Sequence, residues 1–93
     1  MNRENISEFI EANQCEEDKD TVLIDGHESA FVGYIRNEDG VSAVYSYEKI
    51  LENLTKDGMS YEDAVEFFDY NIERGIDYIT KGVKPTILYT YNA

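Results

Sequence analysis

The 93 residues carry 20 acids against 8 bases, a formal net charge of −12, with 42% hydrophobic residues. That length suits one acidic domain over residues 1–93 with a single small core, and the apolar content separates the chain from disordered sequences. The charge argues against direct nucleic-acid binding and against anionic membranes, and the lone Cys15 cannot form an internal disulfide.

No apolar run reaches the length of a membrane span, and the polar start Met1-Asn2-Arg3-Glu4-Asn5 is unlike a signal peptide. A cytoplasmic protein is expected. Asn5 reads as the cap of a short N-terminal helix, with Glu8 as its box partner. Ile6, Phe9 and Ile10 form its apolar edge, and Glu4, Glu8 and Glu11 its acidic one. Glu16-Glu17-Asp18-Lys19-Asp20 is too charged to bury and reads as a solvated loop. It lacks the alternating oxygen ligands and the glycine of a calcium loop.

Residues 21–24 are a short β-prone run, and Asp25-Gly26 is turn chemistry. Residues 30–36 read as a second strand. Strict alternation puts Phe31, Gly33 and Ile35 on one face and Ala30, Val32 and Tyr34 on the other. Neither face is polar before Arg36, so this strand is expected at the centre of the sheet. Asn37-Glu38-Asp39-Gly40 is a hairpin connection to a third strand at 41–45. Short connections imply an antiparallel meander.

The stretch 45–75 is the most strongly patterned. Ser46 is a natural N-cap, and Tyr47, Ile50, Leu51 and Leu54 repeat at helical spacing over 47–56. Asp57-Gly58-Met59-Ser60 closes that helix and opens the next. Gly58 suits the left-handed closing position, Met59 can fold back on Leu54, and Ser60 caps with Asp63 three residues on. The second helix is expected from Tyr61 to about Arg74, with Tyr61, Val65, Phe68 and Ile72 turned inward. Its opposite side carries Glu62, Glu66, Asp69 and Glu73 in one row, with Tyr70 beside it. Gly75 is placed to end or kink this helix. One further short turn over 76–79 is expected, and Pro85 precludes helix beyond it. Residues 86–91 read as a last strand. The expectation is α+β: a short N-terminal helix and a small antiparallel sheet, a meander of three strands plus a C-terminal strand, with a helix pair packed on one face.

Several of these segments together resemble a largely uncharacterised family of small phage and prophage proteins. They are Asp25-Gly26 with Ala30-Phe31-Val32-Gly33, Tyr45-Ser46-Tyr47-Glu48-Lys49, and Asp57-Gly58-Met59-Ser60-Tyr61-Glu62-Asp63-Ala64 with Glu66-Phe67-Phe68 and Asn71. That family carries DGxxxAFxG and DGMxYEDAxEFFxxN motifs and a TPIF-like final strand. The likeness spans roughly residues 25–72. Here Pro85 and Thr86 stand in exchanged order, the segment between Asn71 and Pro85 is longer, and residues 1–20 have no counterpart. The resemblance implies a phage or mobile-element origin and an α+β fold, and no reaction.

No P-loop, nucleophile elbow or dinucleotide fingerprint occurs. His27 is the only histidine, expected on a surface turn, and it offers too few imidazole or thiolate ligands for a metal site. No catalytic residue, metal or cofactor is therefore assigned, and the chain is not expected to be an enzyme. The charge points instead to a basic protein partner. B-DNA presents a charge about every 1.7 Å of its axis, so a protein that replaces it needs rows of acids on a rigid element. Glu62, Glu66, Asp69 and Glu73, with Tyr70, are the candidate partner-binding residues; a merely solvated helix face is the alternative. The eight tyrosines could add contact area, although most are expected in the core or sheet. The functional expectation is a phage-encoded, anti-CRISPR-like inhibitor. It would bind a host defence protein, such as a CRISPR effector, in the basic groove that holds nucleic acid. The alternative is a small non-catalytic accessory module that binds a phage or host protein, in one form as a homodimer.

Overall fold

Asn2, not Asn5, caps the first helix: its side chain accepts from the Asn5 N–H at 2.9 Å. Starting the helix three residues earlier gives Ile6 and Ile10 a full turn of support on the face that buries them. The computed structural model describes residues 2–91. Its elements are α1 (Arg3–Asn13), a 3-10 turn (Glu28–Ala30), β1 (Phe31–Asn37), β2 (Gly40–Ser46), α2 (Tyr47–Lys56), α3 (Tyr61–Phe67), a π turn (Phe68–Glu73), α4 (Arg74–Asp77) and β3 (Thr86–Leu88). The α+β class expected from the sequence is the one observed.

The sheet differs from the expected one. It has three strands in the order β1-β2-β3; β1 pairs antiparallel with β2, but β3 runs parallel to β2. The sheet is therefore mixed, not an antiparallel meander with a fourth strand. Residues 21–24 form no strand; Thr21 makes one isolated parallel bridge to Val83. Both edges of β2 are already taken, so this run is tied down by other means. Thr21 Oγ1 donates to the Val41 carbonyl at 2.7 Å, and the Ile24 N–H donates to the Tyr45 hydroxyl at 3.1 Å. The last strand is also shorter than the sequence suggests, ending at Leu88.

The central strand is β2, with all seven residues buried, and β1 is an edge strand exposed along most of its length. That reverses the expected placement. An apolar strand need not be central when a helix covers one of its faces. The facing of β1 is also changed by a β-bulge between Phe31 and Gly33. Phe31 pairs with Tyr45 and Tyr34 with Ala43, so Phe31 and Tyr34 share one face. Phe9 of α1 packs against both rings, at 6.1 and 5.6 Å between centroids. Gly33 was the signal for this irregularity.

The hairpin turn and both helix caps fall where the sequence places them. Ser46 Oγ accepts from the Lys49 N–H, and Ser60 Oγ from the Asp63 N–H. Between them, the Met59 N–H donates to the Leu54 carbonyl at 3.2 Å and the Gly58 N–H to that of Thr55 at 3.1 Å. This pair of bonds is a Schellman close, with Gly58 at φ +109°. A Cβ on Gly58 would meet nothing within 4 Å, so any cost of substitution is backbone strain alone. Gly58→Val should destabilise by more than about 1 kcal/mol. An unchanged thermal melt would show that this close does not hold the two helices together.

Helix continues from Tyr61 through Asp77, so Gly75 does not end it. The inward row is Ala64, Phe68 and Ile72, with Ile76 packed against it. In a pure α-helix each four-residue step overshoots one turn by about 40°. The wider π turn cancels that drift and keeps Phe68, Ile72 and Ile76 toward the core. Tyr61 does not join them and is exposed. The ring standing edge-on to Phe68 is Tyr47, at 4.8 Å between centroids. The core gathers α1, β1, β2, α2 and the 61–77 helix through Ile6, Ile10, Phe31, Val41, Ala43, Tyr45, Ile50, Leu51, Leu54, Ala64, Phe68 and Ile72.

Candidate functional site

Glu62, Glu66, Asp69, Tyr70 and Glu73 are all exposed on the 61–77 helix. Arg3, Lys19, Arg36 and Lys56 pair with Asp25, Asp39, Asp18 and Glu52 respectively. Among the described residues none of the row's four carboxylates closes an ion pair. Arg74 flanks the row, but its guanidinium lies over the Tyr70 ring, 5.1 Å from the centroid. The row is thus an uncompensated strip of negative charge on a helix anchored by Ala64, Phe68 and Ile72.

The row has two ends with different surroundings. Glu62 lies in the first turn of α3, where the helix dipole favours it. Asp69 and Glu73 lie on the π turn and act on two phenols. Burial, then Tyr61, Asp69 and Glu73 push the Tyr47 hydroxyl above its ordinary value. Burial, then Glu73, Tyr47 and Asp69 do the same for Tyr89.

Those two tyrosines mark a groove that sequence reasoning missed. It has a volume of about 520 Å³ and is walled by Tyr47, Leu51 and Thr55 of α2, Tyr61 at the start of α3, and Tyr89 and Thr90 after β3. Glu48 and Glu52 also line it. The Tyr47 and Tyr89 rings meet at 4.8 Å, tilted by 42°. Tyr61 is 65% and Tyr89 58% exposed, so much of each side chain is open to solvent. Tyr47 and Tyr61 each directly follow a capping serine, and such first-turn positions are only partly covered. That signal was available in the sequence. The expectation that most tyrosines are core or sheet residues is corrected: Tyr61, Tyr70, Tyr78, Tyr89 and Tyr91 are all exposed.

Cys15 and His27 have different surroundings. Cys15 is exposed in the loop after α1, its N–H donating to Asp18. That bond, and then Arg36, hold the Asp18 carboxyl below its usual range. His27 is half-buried, not the surface residue the sequence suggests. It lines a second cleft of about 350 Å³ with Leu23, Ile24, Phe67, Asn71 and Ile72, and among the described residues its Nδ1 finds no hydrogen-bond partner. Burial lowers its pKa from 6.5, against the opposing pull of Glu28 and Asp57. A depressed histidine gives stability that is full above its unfolded value and is lost as pH falls through its lower native value. The melting temperature of the parent should therefore drop more between pH 7 and pH 5 than that of His27→Gln. Parallel pH profiles would show that this burial is not felt.

Among the described residues no group of three or more histidine, cysteine or acidic side chains could hold a metal ion, and no helix is long and apolar enough to cross a membrane. Comparison with protein-family models, curated proteins and solved structures found no match.

Proposed function

We propose that this protein is a stoichiometric inhibitor whose acidic helix face occupies the basic groove of a nucleic-acid-binding protein. The observation that carries the reading is the strip of Glu62, Glu66, Asp69 and Glu73, exposed and, among the described residues, free of ion pairs on a helix rooted in the core. A rigid strip can meet fixed bases without first being ordered, which keeps the entropic cost of binding low. Net charge of −12 steers it toward basic surfaces and away from phosphate. The phage-protein resemblance makes a host defence nuclease, such as a CRISPR effector, the natural class of target, and an anti-CRISPR-like role in the host cytoplasm the natural setting.

The test is competition. Host nucleic-acid-binding proteins are loaded on immobilised double-stranded DNA at low salt, and the chain is added in excess. Specific release of one protein, suppressed by salt, supports the reading. No release at any salt concentration rejects it.

A second reading, a non-catalytic accessory module that dimerises, is favoured by β1. It is an edge strand with Val32 and Ile35 about half exposed, the kind of edge that pairs with another chain. Sedimentation at high salt separates the two readings, because pairing through an apolar edge survives screening and charge-driven capture does not.

A further inference from the structure

The groove beside the acidic row has a chemistry of its own. Its lining brings together the rings of Tyr47, Tyr61 and Tyr89 and the aliphatic Leu51, with the Glu48 and Glu52 side chains beside them. The Tyr47 and Tyr89 hydroxyls already feel the charges of Asp69 and Glu73. An apolar, aromatic surface inside a negative field selects for a cation that tolerates losing water. Guanidinium does so: it is planar, weakly hydrated and stacks on aromatic rings, whereas ammonium is compact and strongly hydrated. The molecule itself shows this pairing further along the 61–77 helix, where the Arg74 guanidinium lies over the Tyr70 ring. A second copy of this chain is a poor occupant of this groove, since 20 acids against 8 bases leave it few cations to place beside Glu48 and Glu52.

We infer that this groove receives an arginine side chain from a basic segment of the partner, stacked on the tyrosine rings and held by the field of Asp69 and Glu73. The inference rests on the proposed acidic-face reading and adds to it which residue of the partner is read. The row supplies attraction at long range; the groove supplies discrimination between arginine and lysine. An arginine entering here would exchange water for ring faces and would make the contact less sensitive to salt than the rest of the interface.

The probes are two short peptides of equal length and charge, tetra-arginine and tetra-lysine, titrated by calorimetry against the full chain at low salt. The arginine peptide should bind more tightly by about tenfold, the order expected of a partly desolvated cation–π contact. Tyr61→Leu and Tyr89→Leu remove the rings and should erase most of that preference; the melting curve should be unchanged for the exposed Tyr61 and lowered by only a few degrees for Tyr89, whose ring packs on Tyr47. The pair Asp69→Asn and Glu73→Gln should weaken both peptides. Equal binding of the two peptides, insensitive to the tyrosine changes but weakened by the amides, overturns the groove assignment and leaves the acidic face standing. No binding of either peptide to the folded parent overturns both.

Discussion

Phe68→Ala should cost about 3–5 kcal/mol, the range for deleting a fully buried phenylalanine. Phe68 is wholly buried at the first position of the π turn and lies edge-on to Tyr47. Its removal opens a cavity between the 61–77 helix and the start of α2. At roughly 4–8 °C per kcal/mol for a domain of this size, the melting temperature should fall by tens of degrees. Phe9→Ala is the comparison, because Phe9 is half exposed and its ring lies at the margin of the core, against Phe31 and Tyr34. It should cost about 1–2 kcal/mol. Equal losses in the two variants would mean that the core is not centred on the 61–77 helix. Loss of Phe68 should also loosen Tyr47 and so widen the groove, which links core packing to the surface that reads the partner.

The second large effect concerns binding. Changing Glu62, Glu66, Asp69 and Glu73 together to Gln, Gln, Asn and Gln keeps their shape and removes four charges. Binding to a basic-groove target should weaken by about 2–4 kcal/mol at low salt, with a slower association rate. The loss should shrink as salt rises, because each exposed pair is then screened. Stability should hold or rise slightly, since like charges along one helix face repel by a few tenths of a kcal/mol each. Glu62 opposes that gain through its place in the first turn of α3. A folded quadruple variant that inhibits as well as the parent at low salt would reduce the row to a solvated face. The candidate acids would then be Glu4, Glu8 and Glu11 on α1 or the 16–20 loop.

What the sequence determined by itself is local. Ser46, Gly58 and Ser60 set the ends of α2 and the start of α3 because capping is decided within a few residues of the chain. The exposure of Glu62, Glu66, Asp69 and Glu73 was legible for a related reason: a charged row opposite an apolar stripe on one helix has only one way to face. The class α+β followed from the order of these patterns.

Tertiary structure alone decided what depends on competition between distant segments. Residues 21–24 have strand composition, yet β2 has two edges and both are filled by β1 and β3. β1 looks central by its side chains, yet a bulge at Gly33 and the packing of α1 turn Phe31 and Tyr34 to the same side. The π turn is not written in the local pattern, and the inward row of Ala64, Phe68 and Ile72 runs into it with Ile76 packed against it. The partial exposure of Tyr47 and Tyr61 was legible from their capping serines, but the groove was not, because Tyr89 lies far from both in sequence. They meet only because β3 runs parallel to β2, a register that carries Tyr89 beside the start of α2.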